Sequence, residues 1–402
     1  MTLSVEQSNA AKGIKDWYSN SSDPLFTLHG YAGTGKTFLL QELASTFTGT
    51  LACCAPTGKA ASVLKSKLDG IDVTTVHKLL YSPNSAGSGE YEILKKKLKE
   101  NPDDFELSQQ VEDMRRDLTS SKLSFEYNGG PDVAKDQLII VDESSMATKA
   151  MRDDLVSTGA KILFVGDGGQ LPPVGDDGWF TKATPNAVLE EVHRQALESP
   201  IIRLSMDVRN GSVDRAQYQS DLCRIVSKTE VTHQQWMDAD QVITGMNRTR
   251  HKLNKWFRKK LEYEGQIPQK DERLICLKNA QRGPFINGVQ MNCIGDAYVD
   301  DSGQWLISVE YDGQIYTDVP FYEYHCLKTY SDGEKEEPFF SRRGLLELDY
   351  AYAITCHKSQ GSEWNNVIVA DDKMMKQKKE FRKQWLYTAV TRAKEQLTWI
   401  QD

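Results

Sequence analysis

The segment GYAGTGKT, residues 30–37, contains residue types that bind a chain of phosphates. It fits the pattern G-x-x-x-x-G-K-[ST], in which backbone N–H groups surround the phosphates and the lysine reaches the β and γ groups. The apolar run LFTL precedes it and apolar residues at helical spacing follow it, so a strand–turn–helix is predicted rather than an ordinary glycine-rich turn. The pattern predicts a nucleoside triphosphate site formed by Gly30, Ala32, Gly33, Thr34, Gly35, Lys36, Thr37 and Phe38.

Two carboxylates follow a second apolar run in QLIIVDESSM, residues 137–146. Continuous apolar strands are typical of parallel sheets, whose carboxyl ends face the ligand crevice. We therefore expect Thr37 and Asp142 to hold Mg²⁺, Asp142 through water, and Glu143 to orient or deprotonate the attacking water. Taken alone, these residues also fit a strand followed by a helix cap.

A third strand is predicted at KILFVGD, residues 161–167, and the turn GGQLPPVG follows it at 168–175. Pro172 and Pro173 stiffen this turn and place Gln170 near the strand end. There a neutral amide can sense the γ phosphate without a conflict of charge. Gln170 is therefore predicted to join Lys36, Asp142 and Glu143 as a catalytic group.

Further polar segments follow predicted strands and have groups that can touch phosphates. In CAPTGKAASVL, residues 54–64, a helix is predicted to begin near Lys59. The backbone N–H groups of its first turn and the Lys59 side chain can bind a phosphate. TTVHKLL and QVITGMNRTRHKLN add candidates of the same kind. In AITCHKSQGSEW, residues 353–364, a polar cluster follows a strand-like run directly, although a core role for His357 and Lys358 is the alternative.

Length and composition limit the protein class. At roughly 150 residues per domain, 402 residues predict two or three domains. A net charge of -8 argues against a protein that merely coats nucleic acid, but it permits a groove lined with a few basic residues. Seven cysteines without C-x-x-C spacing predict reduced thiols rather than a disulfide or zinc site. No apolar run reaches about eighteen residues and MTLSVEQSNAAKG is unlike a signal peptide, so the cytosol, or a host cytoplasm, is expected.

Seven segments resemble, in this order, the motifs of superfamily 1 helicases: GYAGTGKT, APTGKAA, VDESSM, GDGGQLPPVG, EVHRQ, AITCHKSQGSEW and YTAVTRAK. The residues HKSQGSEW are most similar to the RecD-like branch, superfamily 1B, and the compact chain resembles its bacteriophage members. The resemblance implies an α/β fold with two RecA-like P-loop domains, each built on a parallel sheet. It also implies ATP in the cleft between the domains and single-stranded DNA across their top.

The resemblance implies roles for individual residues as well. Gln7 would read adenine, and Gly361 and Glu363 would approach the nucleotide. Arg194 and Arg392 would bind the γ phosphate as catalytic arginines, although a surface ion pair is the alternative for an isolated arginine. The implied DNA-binding residues are Pro56, Thr57, Gly58, Lys59, Thr75, His77, Pro173, Asn247, Arg248, Thr355, His357, Lys358 and Ser359.

Four parts are predicted along the chain. Residues 1–81 and 129–185 form the first RecA-like domain, and 82–128 are an insertion into it. Residues 186–265 and 344–402 form the second RecA-like domain, and 266–343 form an SH3-like barrel, because short β-rich runs there alternate with turns such as DDSG. In the family, the first insertion holds the pin that splits the duplex. Aromatic residues flank it here at Tyr81, Phe125 and Tyr127, and an aromatic pin could stack on the last base pair.

The function implied is that of an ATP-dependent, DNA-stimulated helicase that moves 5′-to-3′ on single-stranded DNA and unwinds duplex. ATP and Mg²⁺ are the implied cofactors, and single-stranded and tailed duplex DNA are the implied partners. We also expect the motor unit to be a monomer that does not bind membranes. It is expected to act in replication, recombination or repair and to contact replication or single-strand-binding proteins. The alternatives are a 3′-to-5′ or RNA helicase, and a nucleotide-gated DNA clamp that hydrolyses ATP without unwinding.

Lys36→Ala tests the phosphate site under both the helicase and the clamp hypotheses. Removing the ammonium group is expected to abolish ATP hydrolysis while largely sparing DNA binding, because the lysine reaches only the phosphates. A steady-state ATPase assay and an oligonucleotide binding assay on the same preparation measure the two effects. Hydrolysis at the wild-type rate would show that the site is elsewhere.

Overall fold

The computed structural model describes residues 2–68, 70–83, 97, 107, 110, 125–127, 130, 133–135, 137–192, 198–280, 283–327, 344–372 and 379–401. These residues form two parallel sheets, one mixed sheet and a two-stranded ribbon. Helices pack against the two parallel sheets, so the predicted α/β class and its two RecA-like domains are confirmed.

The first domain is built on a six-stranded parallel sheet, in the order β3-β2-β6-β7-β1-β8. Its strands are β1 (Leu25–Gly30), β2 (Leu51–Ala55), β3 (Val73–Thr75), β6 (Leu138–Val141), β7 (Lys161–Gly166) and β8 (Ala187–Leu189). Its helices are Val5–Asn20, Lys36–Thr46, Gly58–Lys67, Val76–Leu80, Lys149–Ser157 and Trp179–Lys182, with a 3-10 turn at Ser144–Met146. The two central strands, β6 and β7, are apolar apart from Lys161 at the start of β7, because helices cover both faces of the sheet. The predicted domain boundary at 185 is wrong, since β8 pairs with β1 and belongs to this sheet.

The second domain is built on a five-stranded parallel sheet, in the order β17-β10-β18-β19-β9. Its strands are β9 (Cys223–Val226), β10 (Gln241–Thr244), β17 (Ala353–Thr355), β18 (Trp364–Ala370) and β19 (Ala393–Ile400). Its helices are Pro200–Asn210, His233–Met237, Asn247–Lys260, Cys356–Ser359 and Lys379–Val390, with 3-10 turns at Arg215–Gln217 and Lys228–Glu230.

A mixed sheet interrupts the second domain between β10 and β17. Its order is β12-β11-β16-β15-β14-β13, and a further pairing of β12 with β14 closes it into a ring. The strands are β11 (Arg273–Cys276), β12 (Gln290–Cys293), β13 (Tyr298–Val299), β14 (Trp305–Tyr311), β15 (Gln314–Tyr322) and β16 (Leu346–Tyr350), with a short helix at Tyr324–Leu327. The predicted boundary at 343 is wrong, because β16 pairs with β11 and β15. The SH3-like assignment stays a prediction.

The first insertion begins and ends in an antiparallel ribbon of β4 (Tyr81–Pro83) and β5 (Phe125–Tyr127). Almost all of the predicted pin segment between them lies outside the described residues. Tyr81 donates a hydrogen bond to Asp154, stacks on His77 and meets Tyr127 edge-on. These two tyrosines therefore attach the ribbon to the body of the first domain.

The link between the mixed sheet and β17 is held by a buried amide. Ala351 and Tyr352 connect β16 to β17, and Asn254 lies beside them on the helix Asn247–Lys260. The Asn254 amide donates to Tyr350 O at 2.8 Å and Ala353 O at 3.1 Å, and it accepts from Ala353 N at 2.7 Å. This side chain thus satisfies backbone groups that water cannot reach.

All seven cysteines are buried and none is in a disulfide. In the described part of the chain, no helix combines the length and apolar character that a bilayer crossing requires.

Asn254→Ala is expected to lower the free energy of unfolding by at least about 3 kcal/mol, because it leaves three buried backbone groups without partners. Urea denaturation followed by circular dichroism measures the change. The neighbouring substitution Lys255→Ala, at an exposed position, is expected to change stability by less than about 0.5 kcal/mol. Equal effects of the two substitutions would contradict the conclusion that the Asn254 amide holds the link between the mixed sheet and β17.

Candidate nucleotide cleft and nucleic-acid channel

A cavity of about 610 Å³ lies between the two parallel-sheet domains, and we call it the nucleotide cleft. The first domain contributes the loop after β1 and the ends of β6 and β7. The second contributes the segments after the helix Cys356–Ser359 and after the helix Lys379–Val390. The cleft brings together most of the nucleotide-site residues predicted from sequence: Ala32, Gly33, Gly35, Lys36, Thr37, Asp142, Glu143, Gln170, Gly361, Glu363 and Arg392.

The loop after β1 has the backbone that a phosphate cradle needs. Gly33 and Gly35 have φ angles of 80° and 75°, in the left-handed region where only glycine is unstrained. A Cβ on Gly30 would lie 2.7 Å from Lys36 Cγ, so this glycine leaves room for the lysine stem. The Lys36 ammonium donates to Gly30 O at 2.7 Å and Tyr31 O at 3.1 Å. The cationic group is therefore held inside the loop by carbonyl oxygens.

Four predicted nucleotide residues do not line the cleft: Gln7, Gly30, Thr34 and Phe38. Gln7 is buried behind the loop, and its amide donates to Thr34 O at 3.1 Å and Gly35 O at 3.3 Å. Its amide oxygen accepts from Ser4 N in a capping box. In this structure Gln7 supports the phosphate loop, and its role with adenine stays a prediction.

Asp142 and Glu143 follow β6 at the wall of the cleft. Burial and the adjacent Glu143 carboxylate raise the pKa of Asp142 to about 6, although Lys36 and Lys67 act in the opposite direction. Glu143 has a φ of 52°, a left-handed conformation that costs a non-glycine residue about 1 kcal/mol or more. A hydroxyl at Thr37 and a carboxylate at Asp142 are the oxygen donors that Mg²⁺ prefers, so the residues fit this ion.

Gln170 lies in the turn after β7, where 5% of its surface is exposed. Its amide oxygen is buried and has no hydrogen-bond partner among the described residues. A buried acceptor without a partner is costly, and a water in the cleft would satisfy it. This position suits a residue that orients water beside a phosphate.

Arg392 enters the cleft from the second domain with its guanidinium held by neutral groups. It donates to Thr388 O at 3.0 Å, Ser362 O at 3.2 Å and Thr391 Oγ1 at 3.0 Å. The arginine is therefore positioned in advance beside the cleft. Arg194, the other predicted arginine, lies outside the described residues.

A second cavity, of about 520 Å³, lies where the two domains meet the mixed sheet, and we call it the channel. Six of the predicted DNA-binding residues line it: Thr57, Lys59, Asn247, Thr355, His357 and Lys358. The sequence reasoning missed Met146, Val174, Arg250, Asn287 and Gly288, which also line it. Val174 is an apolar side chain with 80% of its surface exposed, and its place after two stiff prolines could have indicated it.

The other predicted DNA-binding residues do not line the channel. Arg248 faces a different cavity, beside Asp371 and Asp372. The Ser359 side chain is fully buried and donates to Cys356 O, so it does not face the channel. Thr75 caps the helix Val76–Leu80, and His77 stacks on Tyr81. Pro56 is buried, Gly58 packs on Ile286, and Pro173 is half-buried next to Val174.

The segment Ile286–Gly288 of the mixed sheet, here called the tip, touches both domains at the channel. A Cβ on Gly58 would lie 2.9 Å from Ile286 Cδ1, so the tip packs directly on the first domain. Lys358, in the second domain, donates to Leu277 O at 3.4 Å and to the Asn287 side chain. Phe285 anchors the tip in the apolar core of the mixed sheet.

Lys59 is shared by the nucleotide cleft and the channel. Its ammonium donates to Gly288 O at 3.2 Å and lies 5.6 Å from the centre of the Trp364 ring. Burial, with the Arg392 charge nearby, lowers the pKa of Lys59 to about 8. Burial also lowers the pKa values of Lys358 and His357.

Comparison with known proteins agrees with this geometry. Residues 2–228 match the family model described as an AAA domain, and residues 350–400 match that of the UvrD-like helicase C-terminal domain. The chain is 26% identical over 424 residues to the ATP-dependent RecD2 DNA helicase of Deinococcus radiodurans, with 96% of this chain and 49% of that protein covered. The chain belongs to the AAA domain family. The predicted resemblance is confirmed.

A bacteriophage protein is also similar to part of the chain. The chain is 32% identical over 200 residues to the ATP-dependent DNA helicase dda of Enterobacteria phage T4. The aligned region covers 46% of this chain and 38% of that protein. The chain thus spans half or less of the length of these curated relatives. The Candida albicans Pif1 helicase structure has the same fold over 100% of this chain and 95% of its own, with a TM-score of 0.52 and 19% identity. A Pif1 structure concerned with unwinding at forked duplex DNA gives a TM-score of 0.56 at 18% identity, covering 100% of this chain and 92% of that one.

The lowered pKa of Lys59 makes a prediction about pH. The Lys59 side chain is positively charged below a pH of about 8, and it loses this charge as the pH rises through that value. Affinity for a single-stranded oligonucleotide is therefore expected to fall about three- to tenfold between pH 7 and 9 at constant ionic strength, as measured by fluorescence anisotropy. Lys59→Arg is the matched control, because its guanidinium stays charged and should remove most of the dependence. The same pH profile in both proteins would exclude Lys59 as the titrating group.

Proposed function

We propose that this chain is an ATP-dependent motor on single-stranded DNA that moves 5′-to-3′ and unwinds duplex DNA. The observation that carries the proposal is the position of Lys59, which lines both the nucleotide cleft and the channel. Both cavities cross the boundary between the two parallel-sheet domains. A change in the distance between these domains at the cleft would therefore alter the channel as well.

On the nucleotide side, the loop after β1 binds the phosphates through backbone N–H groups and Lys36. Thr37 and Asp142 hold Mg²⁺, which when bound would neutralise phosphate charge. Glu143 accepts a proton from the attacking water, and the Gln170 amide oxygen orients that water. Arg392 stabilises the charge that develops on the γ phosphate, and Arg194 is proposed to assist it.

On the DNA side, Thr57 and Lys59 contact the strand from the first domain, and Thr355, His357 and Lys358 contact it from the second. The apolar side chains of Met146 and Val174 offer a surface for bases, which bind without a strong preference for sequence. Alternate grip by the two domains moves the strand stepwise. Opening one base-pair step costs about 1.4 kcal/mol on average, a scale that a nucleotide-driven motor can meet.

The direction of movement and the choice of DNA come from the relatives. The RecD2 and dda proteins are both named ATP-dependent DNA helicases, and we extend that activity to this chain. The 5′-to-3′ direction follows from the superfamily 1B resemblance.

Strand separation of a short duplex with a single-stranded tail on its 5′ or its 3′ side tests the proposal. With ATP and Mg²⁺, unwinding is expected only from the 5′ tail, and a fluorophore–quencher pair on the duplex reports it. Lys36→Ala serves as the control and should leave both duplexes intact. Unwinding only from the 3′ tail would reverse the direction. ATP hydrolysis that DNA stimulates without any unwinding would favour a nucleotide-gated clamp. Unwinding of RNA duplexes alone would show that the substrate is RNA rather than DNA.

A further inference from the structure

The hydroxyl of Tyr387 joins three elements from the two sides of the nucleotide cleft. Tyr387 lies on the helix Lys379–Val390 of the second domain, and 2% of its surface is exposed. Its hydroxyl donates to Asp167 Oδ2 at 2.7 Å, after β7, and accepts from Ala32 N at 2.9 Å, in the phosphate loop. One phenol thus connects the phosphate loop, a strand end of the first domain and a helix of the second.

The turn that carries Gln170 is held from the second domain at further points. Leu171 N donates to Thr388 Oγ1 at 2.9 Å, and Gln360 donates to Leu171 O at 3.0 Å. Within the turn, Gly169 N donates to Asp167 Oδ1 at 2.9 Å. A Cβ on Gly169 would lie 3.1 Å from Tyr387 Cε1, so the backbone of the turn packs closely against the phenol ring. The position of Gln170 therefore depends on Tyr387 and Thr388.

The protonation state of the phenol suits this arrangement. Burial and the Asp167 carboxylate raise the pKa of Tyr387 well above its usual range, so the hydroxyl keeps its proton. A protonated hydroxyl has one hydrogen to donate and lone pairs to accept with. It can serve Asp167 and Ala32 at once, whereas the phenylalanine ring would serve neither.

We propose that Tyr387 is a positioning residue for ATP hydrolysis, which aligns the phosphate loop and the Gln170 turn with Arg392 across the cleft. The inference rests on the proposed function and adds a residue to it. Tyr387 acts through Ala32 and Asp167 rather than by touching the phosphates. Because Arg392 follows on the same segment, its guanidinium and the Tyr387 hydroxyl are placed by one short stretch of chain.

Tyr387→Phe keeps the ring and removes only the hydroxyl. We expect the kcat of ATP hydrolysis, at saturating single-stranded DNA, to fall about 10- to 100-fold, because small misplacements of groups around a reacting phosphate have effects of this size. The KM for ATP should change by less than about threefold. The kcat is divided by the folded fraction, measured by circular dichroism, since a loss of folded protein lowers the apparent kcat without changing KM. A fall in this corrected kcat with little change in KM is the readout.

Tyr218→Phe is the matched control. Tyr218 belongs to the same apolar cluster, is 5% exposed and donates to Asp207 Oδ2 at 2.5 Å. Asp207 does not line the nucleotide cleft, whereas the Tyr387 partners Ala32 and Asp167 do. Its kcat should stay within about twofold of the wild-type value. A kcat in Tyr387→Phe within twofold of wild type, or an equal loss in Tyr218→Phe, would overturn the inference.

Thr388→Val keeps the inference testable if Tyr387→Phe does not fold. It removes the acceptor of Leu171 N from the same turn, and a fall in kcat of about three- to tenfold is expected, again with little change in KM. A wild-type kcat in this variant would contradict the positioning role. If the wild-type protein itself lacked DNA-stimulated hydrolysis, the proposed function would fail, whatever the variants did.

Discussion

The parallel direction of the strands in both large sheets is the constraint on which the site depends. In a parallel sheet all the carboxyl ends meet at one edge, so residues far apart in the chain converge there. The phosphate loop after β1, the carboxylates after β6 and the turn after β7 meet in this way in the first domain. The second domain brings the amino ends of β18 and β19, with the segments just before them, to the opposite wall. The cleft is thus a consequence of the topology, and the side chains decide what it binds.

This constraint explains why much of the site could be predicted from the sequence. Asp142 follows a short apolar run directly, and Lys36 and Gln170 follow theirs within a few residues, so a strand and its polar end are visible in a single window of sequence. Once the strands are taken as parallel, the convergence of these residues follows. Thr57, Lys59, Thr355 and Lys358 could be predicted by the same reasoning, and the structure brings them together at the channel.

The features that could not be predicted depend on contacts between distant segments. The short strands β8 and β16 have pairing partners far away in the chain, so composition placed both domain boundaries wrongly. Ser359 and Arg248 have suitable side chains, but the turn of their helices directs one inward and the other to a different cavity. Tyr387 reads as an ordinary core aromatic until its hydroxyl is seen between Asp167 and Ala32. The tip is equally invisible, since Ile286 and Asn287 sit in a loop without a recognisable motif.

The hydrogen bonds of Asn254 tie the mixed sheet to the second domain, so contacts at the channel differ in whether they lie within this unit. Asn254 binds both Tyr350, at the end of the mixed sheet, and Ala353, at the start of β17, so these elements are tied together. The contact between Lys358 and Asn287 lies inside that unit. The contact between Lys59 and Gly288 instead joins it to the first domain. Relative rotation of the domains would therefore break the contact between Lys59 and Gly288 and preserve the contact between Lys358 and Asn287. One side of the channel wall would stay in place while the other side moved past it.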